Sequence, residues 1–161
     1  IIRFLIERGE ETGLPVLVDP KGKDYRKYKG ATLITPNRKE AAEATAMGEE
    51  DPELINKAGS ILRDRVGIRN VLITQGDRGM TLFSEDGSRV HIEAVPVQTY
   101  DVTGAGDTVV ATAAVGVGAG LPLTEAAKLA NIAGGIVVQK VGTSAITIDR
   151  LLAAADARHD G

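Results

Sequence analysis

The chain has 161 residues, 43% of them hydrophobic and 25% charged, with a formal net charge of -3. That length fits one domain with a real core, and the charge offers no basic surface for nucleic acid and no cationic patch for a membrane. Without cysteine there are no disulfides, thiolate nucleophiles or cysteine metal sites, and 3% aromatics with no tryptophan is too few for base-stacking platforms.

The chain opens on Ile1-Ile2-Arg3-Phe4, in what reads as the middle of a helix, with no initiator Met and no signal peptide. Val109 to Ala119 is apolar but too short and too glycine-rich to span a bilayer. The expectation is a piece of a longer protein, or a processed one, and a cytoplasmic location. Ile2 to Glu11 predicts an amphipathic helix stopped by Gly13 and Pro15. Val16-Leu17-Val18 predicts a buried strand that ends at Asp19-Pro20. Lys21 to Lys29 reads as a basic, polar loop carrying two tyrosines, and Thr32-Leu33-Ile34 as the next strand. Thr35-Pro36 predicts a helix start, with Thr as cap and Pro in the first turn, running through Ala46 to Gly48. A further helix is expected from Asp51-Pro52 to Val66.

Val71-Leu72-Ile73 reads as a strand, and Met80 to Phe83 as another after a turn from Gly76 to Gly79. Asp86-Gly87 predicts a hairpin turn into a strand from Ser88 to Val97. A glycine-rich turn from Asp101 to Asp107 leads into a small-residue helix reaching Ala119, which Leu121-Pro122 breaks. Thr124 is expected to cap a second long helix ending near Lys140, and a last helix covers Asp149 to Arg158. His91 and His159 are isolated and read as surface residues. Strands alternating with helices predict an α/β fold with a largely parallel sheet.

The most informative stretch is Asp101-Val102-Thr103-Gly104-Ala105-Gly106-Asp107, which follows a strand and opens a helix. Two glycines and an alanine let backbone N–H groups approach a ligand closely. The helix start aims free N–H groups and partial positive charge at the same spot. Such a turn can hold an anion, including charge that develops in phosphoryl transfer. A carboxylate at Asp107 can accept the proton of an attacking sugar hydroxyl. On the residues alone a purely structural turn, with Asp107 serving the helix dipole, stands equally open. The segment lacks the Gly-Lys-Ser/Thr ending of a Walker A loop and the spacing of a dinucleotide fingerprint.

Asp101 to Asp107 resembles the C-terminal signature of the ribokinase, or phosphofructokinase-B, family of carbohydrate kinases. The resemblance implies that Gly104, Ala105 and Gly106 form an anion hole and that Asp107 is the catalytic base. One departure is Thr112, where the family usually has Ala or Gly. Asn37-Arg38-Lys39-Glu40 resembles the family's Asn-x-x-Glu motif, which implies that Asn37 and Glu40 organise Mg2+ and phosphate waters, Glu40 reaching the metal through water. Thr74-Gln75-Gly76-Asp77-Arg78-Gly79 resembles the family's loop beside the nucleotide, implying roles for Thr74, Gly76 and Gly79. Asn131 and Gly134 fall where the family's late helix lines the adenine pocket, and Val141-Gly142-Thr143 resembles the loop after it.

Val18-Asp19-Pro20-Lys21-Gly22-Lys23-Asp24-Tyr25 and the run from Gly30 to Asn37 are similar to the heptose 7-phosphate kinase branch, which works in ADP-heptose and lipopolysaccharide synthesis. That likeness implies that Lys21 lies near the transferring phosphates as a point cation. It also implies ATP and Mg2+ as cofactors, a sugar phosphate as partner, no nucleic acid, no membrane, and an adenylyltransferase domain that is fused or separate. Residues 1–161 then form the C-terminal, ATP-binding and catalytic part of a ribokinase-like kinase domain, the nucleotide-binding half without the lid. Family members are often dimers through lid strands that this chain lacks, so a homodimer stays open. Two other readings remain: an isolated nucleotide-binding fragment without turnover, and another sugar or nucleoside kinase of the family.

Overall fold

The computed structural model describes residues 1–96, 104–139 and 146–156. Helix α1 (Ile2–Thr12) ends where Gly13 turns left-handed at φ 69°. Strands β1 (Leu17–Val18), β2 (Leu33–Ile34) and β3 (Val71–Thr74) run parallel, with Val18 beside Ile34 and Ile34 beside Val71. Strand β4 (Met80–Phe83) pairs antiparallel with β3, and β5 (Arg89–Ile92) closes a five-stranded sheet in the order β1-β2-β3-β4-β5.

Between the strands lie α2 (Arg38–Thr45) and α3 (Leu54–Ser60), the latter continued by a π turn over Ile61–Arg65. Three further helices follow: α4 (Ala105–Gly118), α5 (Leu123–Val137) and α6 (Ile148–Asp156). No helix among the described residues is long and apolar enough to cross a membrane.

The chain divides into two compact units, Ile1–Gly76 with Met80–His91, and Asp77–Gly79 with Ile92–Gly161. The first has a continuous core. Ile34, Val71, Ile73 and Phe83 of the strands pack with Ile6 of α1, Ala41 and Ala42 of α2, Leu54 and Ala58 of α3, and Leu62. Leu33, Leu72 and Leu82, which alternate with these along their strands, are fully buried as well. Burial on both faces is why the strands read as unbroken apolar runs. In the second unit α4 meets α5 through small residues, and a Cβ added at Gly116 would come within 3.0 Å of the Ala126 side chain. Close helix contact of this kind needs the Ala and Gly that fill both sequences.

Several expectations shift. The helix after β2 starts at Arg38, not at Thr35-Pro36: Thr35 N–H still donates to the Val18 carbonyl at 3.1 Å, so it extends the parallel ladder, and Asn37 is the cap. The helix expected from Asp51-Pro52 begins at Leu54, because the Asp51 side chain accepts from Glu53 N–H at 2.8 Å and holds a turn there. It also ends in a π turn, where Val66 N–H reaches back to the Ile61 carbonyl at 3.1 Å. The strand expected from Ser88 to Val97 is shorter, Arg89–Ile92. Thr124 lies inside α5, whose cap position is Pro122. His91 is exposed, as expected, but its Nδ1 lies 3.0 Å from Thr81 Oγ1. His159 lies outside the described residues.

Candidate active site

The carboxyl ends of β1, β2 and β3 emerge side by side, and ligands of open α/β sheets bind at that edge. In the first unit they deliver Asp19 and Lys21, then Thr35 to Asn37, then Thr74. A parallel bridge joins Asn37 to Thr74, and Thr74 N–H donates to the Pro36 carbonyl at 2.9 Å. Three of the expected residues, Asn37, Glu40 and Thr74, are therefore neighbours.

Asn37 and Glu40 form a capping box. Asn37 Oδ1 accepts from Glu40 N–H at 2.9 Å, and Glu40 Oε2 accepts from Asn37 N–H at 2.9 Å. This reciprocal pair satisfies two helix-start donors and fixes the Glu40 side chain. Its other oxygen, Oε1, is 3.2 Å from Lys21 Nζ, which also lies 2.8 Å from Asp19 Oδ2. One ammonium thus bridges two carboxylates. The hydrogen bond from Lys21 to Asp19, opposed by a little desolvation and joined by Glu40, raises the lysine above its ordinary range, so it stays charged at neutral pH. The Lys21 side chain is 70% exposed, so these pairs add little stability. Their consequence is a fixed place for a cation at the sheet edge.

Beneath this group Tyr25 is buried, and its hydroxyl has no protein hydrogen-bond partner. Burial first, then the charge of Glu40, pushes its ionisation up. Among the described residues no group of three or more His, Cys, Asp or Glu could hold a metal alone. Magnesium carried on nucleotide phosphates keeps several waters and needs only one or two carboxylates. Glu40, held by its capping box with one oxygen already facing a cation, suits that role.

In the same loop region Gly76 turns at φ 63° with open space around it. Gly79, in the second unit, is buried with φ 78°, and a Cβ there would overlap the Ile92 carbonyl oxygen. Gly79 is thus required by backbone packing.

The glycine turn lies in the second unit. Gly104 is the N-cap of α4 at φ 79°, in the left-handed region, and has no side chain of its own to cap the helix. Its carbonyl accepts from Thr108 N–H at 3.0 Å and from Thr108 Oγ1 at 2.9 Å, which closes the first helical turn. Asp107 sits in that turn with an exposed side chain. The N–H groups of a helix start suit an anion, and here they lie next to a carboxylate that can take a proton. Asp101, Val102 and Thr103, and the loop Val141-Gly142-Thr143, lie outside the described residues.

Asn131 is buried and donates from Nδ2 to the Glu93 carbonyl at 2.7 Å, so its amide ties α5 to the segment after β5. Gly134 is also buried, and a Cβ there would come 3.2 Å from Val109 Cγ2. It lets α5 approach α4 two residues beyond Asp107.

Two participants escaped the sequence reading. Asp19 is a second carboxylate on Lys21, and Tyr28 is buried against the Lys21 backbone. The signal for the tyrosine was the three-residue spacing of Tyr25 and Tyr28. A 3-10 turn over Tyr25–Tyr28 puts both on one side.

Comparison with known proteins identifies the family and the fold. The model for "pfkB family carbohydrate kinase" matches residues 2–150. The Bifunctional protein HldE of Trichlorobacter lovleyi is 50% identical over 159 residues, covering 99% of this chain and 32% of that protein. The HldE protein of Caulobacter vibrioides is 47% identical over 156 residues, covering 96% of this chain and 32% of its own length. The chain thus spans about a third of the length of these curated relatives. Among solved structures, Arabidopsis thaliana ribokinase complexed with ribose and ATP superposes with a TM-score of 0.84 at 27% identity, over 95% of this chain and 51% of that one. Escherichia coli phosphofructokinase-2 shares the fold, with a TM-score of 0.84 at 19% identity over 97% of this chain and 51% of that one. With a family match over nearly its whole length, a ribokinase-like sheet and a glycine turn opening α4, the chain belongs to the pfkB family of carbohydrate kinases.

Proposed function

We propose that this chain is the nucleotide-binding and catalytic part of a cytoplasmic kinase that moves the γ-phosphoryl group of ATP to the anomeric hydroxyl of heptose 7-phosphate. The product is a heptose 1,7-bisphosphate, a precursor for ADP-heptose and the lipopolysaccharide core. The observation that carries the reading is the glycine-opened start of α4, where Gly104 is left-handed and Asp107 stands exposed in the first turn. Asp107 accepts the hydroxyl proton as the sugar oxygen bonds to phosphorus, and ADP departs with the electrons of the broken bond. The N–H groups at Gly104, Ala105 and Gly106 hold the negative oxygens of the group in transit. Lys21 neutralises phosphate charge from the sheet edge. Bound Mg2+ would supply further neutralisation of the phosphates, with Glu40 reaching it through water.

The HldE relatives, at 44–50% identity, support the heptose substrate, and the Asp19-to-Gly22 stretch agrees with them. Their name calls them bifunctional, which fits an adenylyltransferase partner domain. A second reading, nucleotide binding without turnover, is favoured for the 161-residue chain alone, since it spans about a third of those proteins.

The test is a substrate panel on the full-length protein: heptose 7-phosphate, ribose, fructose 6-phosphate and adenosine, each with ATP and Mg2+. Preferred turnover of heptose 7-phosphate, by at least about a hundredfold in kcat/KM, is expected. Preference for any other acceptor would reassign the substrate within the family. The 161-residue chain assayed in parallel is expected to bind ATP without turnover.

A further inference from the structure

The segment from Lys21 to Tyr28 folds back so that its last side chain grips its first residue. Tyr28 is 2% exposed. Its hydroxyl accepts from the Lys21 backbone N–H at 2.8 Å and donates to the Lys21 carbonyl oxygen at 3.1 Å. A phenol carries one proton and two lone pairs, so it can make both bonds together. Lys27 Nζ donates to the same carbonyl at 2.8 Å and lies 4.9 Å from the centre of the Tyr28 ring. The Tyr25 ring meets Tyr28 edge-on at 5.4 Å and holds its plane.

Both backbone polar groups of Lys21 are therefore tied down, while its side chain stays exposed between Asp19 and Glu40. A four-carbon stem delivers its charge accurately only if the backbone beneath it is fixed. An error of about 1 Å in such a group is enough to slow catalysis. The Gly22 position, at φ 82°, gives the chain no stiffness of its own next to Lys21. The clamp supplies it.

We propose that Tyr28 is a positioning residue for phosphoryl transfer: its hydroxyl fixes the Lys21 backbone so that the lysine charge, held by Asp19 and Glu40, meets the transferring phosphate. This rests on the reading of Lys21 as the phosphate-neutralising cation.

The experiment is a double-mutant cycle in the full-length kinase with ATP and heptose 7-phosphate: wild type, Tyr28→Phe, Lys21→Met and the double variant. Thermal midpoints and peptide-resolved hydrogen exchange are measured alongside. Lys21→Met is expected to lose about a hundredfold in kcat. Tyr28→Phe, which removes both bonds to the Lys21 backbone, is expected to lose about tenfold, with KM for the sugar unchanged. Added to Lys21→Met, it should cost nothing further. Exchange should quicken in the peptide holding Lys21 while β2 and β3 stay protected. An equal loss from Tyr28→Phe with and without Lys21→Met would make the tyrosine merely structural and overturn the proposal. So would no loss from Tyr28→Phe beside a large loss from Lys21→Met, an outcome that leaves the lysine reading intact. If Lys21→Met turns over like wild type, the lysine reading fails and the positioning role falls with it. If Tyr28→Phe does not fold, Lys27→Met, which removes the other bond to the Lys21 carbonyl, carries the same non-additivity test.

Discussion

Asp24 caps the 3-10 turn that presents Tyr28, accepting from Arg26 N–H at 3.1 Å and from the Arg26 guanidinium at 2.8 and 2.9 Å. The Arg26 side chain, then its backbone N–H, lowers the Asp24 carboxyl from 3.8 to about 2. A depressed carboxylate stabilises the folded state above its unfolded value and loses that contribution as pH falls through its folded value. The window is therefore pH 4 down to about 2. Carboxyl titration followed by NMR should place Asp24 near 2 in the wild type, and Arg26→Ala should return it toward 3.8. An unchanged midpoint in Arg26→Ala would mean that the guanidinium does not hold it. The sequence assigns Asp24 no role, because its partner lies two positions on, in a loop that reads as basic and polar. Nothing in that loop's composition shows that Tyr25 and Tyr28 turn inward. Their burial comes from packing with Ile6, Ile34 and Ala41, which are distant in sequence.

Among the elements, the buried strands were legible because both faces are covered and their residues are β-branched and apolar. Helix ends were less so. Thr35-Pro36 has the chemistry of a start, yet Thr35 remains in the ladder with β1, and the true cap is the Asn37–Glu40 box. The π turn after α3 left no mark in the apolar spacing. Its packing does make a firm prediction. Gly59 of α3 faces the Phe83 ring, and an added Cβ would overlap three ring atoms. Phe83 is only 3% exposed and has little room to shift. Gly59→Ala is expected to cost about 1–3 kcal/mol in urea unfolding. Phe83→Leu added to it should recover part of that loss. An Ala variant as stable as wild type would mean that the contact is slack.

For the whole molecule, the alternation of strand and helix was enough to reach an α/β fold, and the glycine turn with Asn37-to-Glu40 was enough to reach the kinase family. What the sequence could not show is how much of the site is also scaffold. Asn131 spends its amide on the Glu93 carbonyl, Gly134 makes room for Val109, and Asn37 and Glu40 bond to one another. Residue types that suit a nucleotide suit tight packing equally, so sequence patterns alone do not separate the two uses. Asp107 is different. It is exposed, in the first turn of a helix that opens on a left-handed glycine, and the chemical claim depends on it. The most direct measurement is phosphorylation of heptose 7-phosphate by the full-length protein, wild type beside Asp107→Asn, with ATP binding measured on both. Asparagine keeps the shape and cannot take the proton. ATP affinity unchanged with kcat reduced by about a thousandfold or more is the predicted result. Turnover like that of the wild type would make the glycine turn a structural feature and contradict Asp107 as the base.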